Sequence, residues 1–98
     1  MNVNKTIEQG NVVLAVEGRL DTQTAPQLEA ELNEIFDACT DLTFDLKDLE
    51  YISSAGLRVI LKAQKTMNAK GSMKLTNVNE TVMEVFDITG FLDILTIE

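Results

Sequence analysis

The sequence predicts an α/β domain in which a mixed β-sheet of about five strands is joined by three helices, in the order β-β-α-β-α-β-α-β. Three observations carry this reading. Short apolar segments with period-two alternation recur along the chain. Between them lie stretches whose apolar residues repeat every three or four positions. A Gln9-Gly10-Asn11 turn joins the first two strand-like segments as a hairpin. A chain of 98 residues has the length of one domain, spanning 1–98, and is expected to hold no second one. At that size folding removes roughly 60 to 65 % of the unfolded surface, enough for one core.

The elements follow in order. Val3 to Glu8 forms the first strand, and Val12-Val13-Leu14-Ala15-Val16 reads as a buried, central second strand. After Gly18-Arg19-Leu20-Asp21, Thr24 lies three residues before Gln27 with Pro26 in the first turn, the pattern of a capped helix start. That helix is expected to reach about Ala38, with Ala25, Leu28, Leu32, Ile35, Phe36 and Cys39 on one arc. Leu42, Phe44 and Leu46 alternate with Thr43 and Asp45 as a strand with one buried face, and Lys47 to Ile52 reads as a loop. From Ser54 or Ala55 to about Ala69 the residues Leu57, Val59, Ile60, Leu61, Ala63 and Met67 form a helical face, with Gly71 as the stop. Met73 and Leu75 mark a fourth strand. Asn79 caps a short helix carrying Val82, Val85 and Phe86 that ends at Gly90, and Ile94 to Ile97 closes the sheet.

Composition removes several function classes. The net charge is -8, so the surface repels the phosphate backbone that a nucleic-acid binder must neutralise, and no direct nucleic-acid binding is expected. No apolar run approaches the roughly 20 residues of a membrane span, so no membrane insertion is expected. The single cysteine, Cys39, has no intramolecular disulfide partner, and no apolar leader precedes the first strand; both point to a cytoplasmic protein. The absence of histidine removes the commonest general base and metal ligand, and with one Cys a zinc site is not expected.

The most informative stretch is Tyr51-Ile52-Ser53-Ser54-Ala55-Gly56-Leu57, which delivers two hydroxyls and a glycine to a helix start. Local chemistry leaves three readings open. Ser54 is an N-cap and Gly56 avoids a clash with the sheet; the helix start is an anion site, although without a Walker lysine; or Ser54 is an exposed phosphoacceptor, approachable because Gly56 lacks a side chain. Two further features stand out. Asp21 precedes Thr22 and Thr24 as a turn or pre-helix acid. Arg58, Lys62 and Lys65 recur at i, i+4 and i+7 as a basic stripe, either a solvated flank or a docking surface for an acidic partner.

Ser54-Ala55-Gly56-Leu57 resembles the signature of the anti-sigma factor antagonist family, the STAS domain, in which a strand and loop ending in Asp-Ser-Ser/Thr-Gly-Leu open a helix. Val12 to Asp21 is similar to that family's second strand and Gly-x-Leu-Asp loop. Phe44-Asp45-Leu46 resembles the strand before its phosphorylation loop, and Phe86-Asp87-Ile88-Thr89-Gly90-Phe91 resembles its last helix ending. Ser53 departs from the pattern, standing where the family has aspartate.

The resemblance implies a non-enzymatic partner switch without a cofactor. Unphosphorylated protein would bind a serine-kinase anti-sigma factor and release the sigma factor; phosphorylation of Ser54 would switch it off, and a PP2C-type, metal-dependent phosphatase would reverse this. The partner-binding residues it implies are Asp21, Ser53, Ala55, Gly56, Arg58 and Lys62. A second reading from the same resemblance is a scaffold subunit of a larger assembly, such as a membrane transport complex, with no phosphorylation. A weak nucleotide-binding domain is the third, with neither Walker lysine nor histidine to support it.

Overall fold

The longest strand, β2 (Asn11–Leu20), organises the sheet of the computed structural model, which describes residues 1–98. β1 (Asn2–Glu8) lies antiparallel to it in the expected hairpin, with Val3 opposite Val16 and Ile7 opposite Val12. β3 (Asp41–Asp45) runs parallel to the first half of β2, pairing Val12 with Leu42 and Leu14 with Phe44. β5 (Ser72–Thr76) continues the sheet on the far side of β3, again parallel. Val12, Leu14, Val16, Leu42, Phe44, Met73 and Leu75 therefore project to one face and are buried there.

The helices α1 (Ala25–Ile35), α2 (Ser54–Lys70) and α3 (Glu80–Ile88) send their apolar sides into the same cluster of 24 buried side chains, so the domain has one core. The opposite sheet face stays open. Val13 is 37 % exposed, so the apolar run of β2 buries one side and not both. Lys5, on the helix side of β1, ties that edge to α1 through Glu31 and Glu34 at 2.8 and 3.2 Å.

The expected five-stranded mixed sheet with three helices is what forms, with three local corrections. Leu49–Ile52, read as loop, is a strand, β4, parallel to the last part of β2. Gly18 makes this possible: its φ of +94° lies where the β2 register shifts, and the kink hands β2 over from β3 to β4. The closing strand at Ile94 to Ile97 shrinks to one parallel bridge between Leu75 and Ile97, after a 3₁₀ turn at Phe91–Asp93. α1 ends at Ile35 and tightens into a 3₁₀ turn, Phe36–Ala38; Cys39 is buried just beyond it, in extended backbone, and burial raises its thiol pKa. Gly71 ends α2 as expected, in extended backbone where the chain passes close to Thr40. Its φ is 177°, and a Cβ there would collide with the Thr40 carbonyl oxygen.

Candidate functional site

The site forms where β2 and β4 end side by side. Leu20 pairs with Ile52, and the Leu20 carbonyl accepts from the Ser53 N–H at 2.9 Å, so the chain leaving β2 at Asp21 starts beside the chain entering α2. Ser53 remains extended, at φ -96° and ψ 175°, and its Oγ accepts from the Gly56 N–H at 3.3 Å. This is N-cap geometry.

The capping role therefore falls to Ser53 and not to Ser54, which corrects the N-cap reading of Ser54. A cap needs non-helical backbone and the chain is already helical at Ser54, so its side chain cannot fold back over the first turn. Ser54 is exposed, and its hydroxyl has no hydrogen-bond partner in the chain. The N–H groups of the first turn and the positive end of α2 lie beside it, an environment that favours an anion over a neutral hydroxyl.

Gly56 is buried beneath this turn. A Cβ there would lie 2.7 Å from Leu20 Cγ and 3.0 Å from Ile52 Cγ1, so the glycine lets α2 sit directly on the ends of β2 and β4. Its burial also means that Gly56 shapes the loop from beneath, whereas Ala55 is half-buried at the surface.

Asp21 is engaged locally. Its Oδ1 accepts from the N–H groups of Gln23 and Thr24, at 3.0 and 3.1 Å, and lies 3.2 Å from the Thr24 hydroxyl oxygen. The Thr24 N–H is the main reason its carboxyl lies below the ordinary aspartate value, with Gln23 N–H and the Thr24 hydroxyl adding to it. Thr24 stands at the expected cap position of α1 but makes no side-chain cap. Its hydroxyl accepts from the Asp21 N–H at 2.8 Å and donates to the Arg19 carbonyl at 2.8 Å, so it braces the turn instead. Oδ2 of Asp21 has no hydrogen-bond partner in the chain.

Arg58, Lys62 and Lys65 line one wall of an open groove between α1 and α2, with a volume of about 680 Å³. Ala25, Ala30, Ala55, Val59 and Leu61 contribute its apolar surface, and Ala55 places one end next to Ser54. Lys62 reaches Glu29 across the groove at 3.3 Å. The structure thus gathers Asp21, Ser53, Ser54, Ala55 and Gly56 at one end of the sheet, while Arg58 and Lys62 lead away along α2.

Two residues escaped the sequence reading. Arg19 lies over the Tyr51 ring, 4.3 Å from its centroid, and the two are paired across the β2–β4 ladder. Reading 47–52 as loop left Tyr51 without a neighbour; the apolar Leu49 and Ile52 flanking two polar-tipped residues were the available sign of a strand. Glu29 is the other. No group of three or more Cys, Asp or Glu side chains is placed to hold a metal ion, and no helix is long and apolar enough to cross a membrane.

The STAS domain family model matches residues 2–98. The chain is 35 % identical over 100 residues to the anti-sigma-B factor antagonist of Bacillus subtilis, covering 99 % of this chain and 92 % of that protein. It is 30 % identical over 102 residues to the anti-sigma F factor antagonist of Paenibacillus polymyxa, covering 99 % and 87 %. Among solved structures, the unphosphorylated anti-sigma factor antagonist SpoIIAA superposes with a TM-score of 0.85 at 22 % identity, covering 99 % of this chain and 88 % of that one. SpoIIAA of Bacillus in its phosphorylated form gives a TM-score of 0.78 at 21 % identity, covering 99 % and 91 %. These last two likenesses concern the fold.

Proposed function

The chain belongs to the STAS domain family, and from that membership we propose that it is an anti-sigma factor antagonist whose partner binding is switched by phosphorylation of Ser54. It is a binding protein and not an enzyme. The unphosphorylated form binds a serine-kinase anti-sigma factor in the cytoplasm and frees the sigma factor. The kinase then phosphorylates Ser54, and a PP2C-type phosphatase restores the active form. Asp21, Ser53, Ala55, Gly56, Arg58 and Lys62 make up the contact region, with Gly56 acting from below by holding α2 close to the sheet.

One observation carries this reading. Ser54 is exposed with a free hydroxyl on the first turn of α2, while Ser53 does the capping. Modification of Ser54 therefore breaks no internal hydrogen bond, and helix end and anion attract by roughly 0.3 to 1 kcal/mol. The domain stays folded. At an interface the same phosphate adds about -1.5 to -2 charge and bulk, and burying it without a matched cation is costly.

The test is to incubate the protein with candidate serine-kinase anti-sigma factors and ATP, locate the added phosphate by mass, and compare pull-downs of the native, Ser54→Ala and Ser54→Asp proteins. The expected result is phosphate on Ser54, binding by Ser54→Ala and none by a folded Ser54→Asp. Normal binding by Ser54→Asp, or phosphate on Ser53, would sink the switch and move the scaffold reading to the front.

A further inference from the structure

The α1–α2 groove inverts the charge of the molecule around it. Its lining holds three cations, Arg58, Lys62 and Lys65, against one carboxylate, Glu29, a local balance of +2 in a chain of -8. Lys62 is already paired with Glu29, but both are about half exposed, at 58 % and 42 %, so that pair is weak and exchangeable. Arg58 and Lys65 take part in none of the ion pairs of the structure. Two cations with no partner thus stand along the wall of an apolar trough, a turn apart on either side of a third.

We propose that this groove receives an acidic amphipathic helix of a partner protein. The acidic character follows from the wall: carboxylates spaced about two turns apart on the incoming helix meet Arg58 and Lys65, and an intervening one competes with Glu29 for Lys62. Helical form follows from the floor. Ala25, Ala30, Ala55, Val59 and Leu61 offer no side-chain donors or acceptors, and Thr22 and Asn33 are the only neutral polar side chains of the lining, so an extended segment would leave most of its own N–H and C=O groups unpaired there, whereas a helix satisfies them internally. The three alanines also keep the trough shallow-walled enough for a third helix to approach α1 and α2 at packing distance. From Ala55 to Lys65 the lined length is about 15 Å, near three helical turns. The docked helix ends beside Ser54, where its first or last turn lies within reach of the modification. The inference rests on the proposed contact region, to which Ala55, Arg58 and Lys62 belong, and adds the kind of element that fills it; the groove is tested with neither kinase nor phosphate, so its failure is distinguishable from failure of the Ser54 switch.

The experiment titrates isotope-labelled full-length protein with a synthetic, covalently stapled helical peptide carrying glutamates along one stripe and leucines beside it. A peptide with lysines in place of the glutamates is the control. Saturable shifts at the amides of Ala30, Ala55, Val59 and Lys65 are expected, weakened by salt and absent with the lysine peptide. Arg58→Glu with Lys65→Glu, both exposed, should leave the spectrum otherwise folded and weaken binding roughly tenfold or more; Arg58→Gln with Lys65→Gln should weaken it less. The proposal fails if the glutamate peptide leaves these amides unmoved or shifts them no more than the lysine peptide does. It also fails if they move with protein concentration alone, because the occupant is then a second copy of the chain.

Discussion

Replacing Ser53 with alanine separates the two adjacent hydroxyls. The substitution removes the oxygen that accepts from the Gly56 N–H and leaves that donor half-buried above Leu20 and Ile52. Loss of a serine N-cap costs about 0.5 to 2 kcal/mol. The 3.3 Å bond is longer than the ~2.9 to 3.0 Å typical of such contacts, which places the cost near about 1 kcal/mol. For a domain of this size that is a fall in Tm of about 4 to 8 °C. Ser54→Ala removes an exposed hydroxyl with no internal partner and substitutes a better helix former, so its stability should stay within about 0.5 kcal/mol of native. Ser53→Asp should hold or raise stability, because aspartate caps as well and adds a charge favoured at the helix start by about 0.3 to 1 kcal/mol. Thermal melts and urea titrations of the three variants give the ordering. Should Ser54→Ala prove more damaging than Ser53→Ala, the assignment of the cap to Ser53 is wrong, and with it the claim that Ser54 is free for modification.

Three more outcomes follow from the geometry. Gly56→Ala pushes a methyl group into Leu20 and Ile52 and should lower stability by about 1 to 3 kcal/mol, read as a drop in the urea midpoint; an unchanged midpoint would show that α2 does not rest on the sheet this closely. Asp21 has a folded-state pKa below its unfolded value, so its contribution to stability is present above the ordinary aspartate pKa and lost as pH falls through the depressed one. Asp21→Asn should therefore melt below native protein at neutral pH and converge with it in acid, and a gap that persists in acid would contradict the hydrogen bonds to Thr24 and Gln23. Burial raises the Cys39 thiol pKa, so a thiol reagent at neutral pH should label the native chain far more slowly than the urea-unfolded chain, whereas equal rates would place Cys39 at the surface.

Much of this architecture was legible because apolar periodicity is a direct record of burial. β2, β3, β5 and the faces of α1 and α2 were recognisable from Val12, Leu14, Leu42, Phe44, Leu57 and Ile60, and Asn79 does accept from the Val82 N–H, at 2.9 Å, as an N-cap should. β4 was not legible, since four residues give too little alternation and its pairing depends on the kink at Gly18, far away in sequence. The last strand was over-read for the opposite reason. Ile94, Leu95 and Ile97 have strand-like composition, but Ile94 is 49 % exposed and the backbone meets β5 only at Leu75. At the site, residue types and spacing singled out the segment 53–56, which the structure places at the start of α2. Which serine caps was hidden, because Ser53 and Ser54 are chemically identical and the choice rests on a single backbone turn. The groove carried even less signal: Glu29 belongs to another helix, and only the packing of α1 against α2 brings it to Lys62.

The stack of Arg19 on Tyr51 has a practical side. The chain has one tyrosine, no tryptophan and four weakly emitting phenylalanines, so with excitation near the tyrosine absorption maximum its intrinsic fluorescence comes from Tyr51. That ring is 38 % exposed, three residues before Ser54, with a guanidinium above it. A molecule settling on this end of the sheet changes the polarity, quenching or mobility of the only strong emitter in the protein. The domain thus carries an optical reporter beside the proposed contact region, and a partner lacking aromatic emission can be titrated against it without attaching a dye.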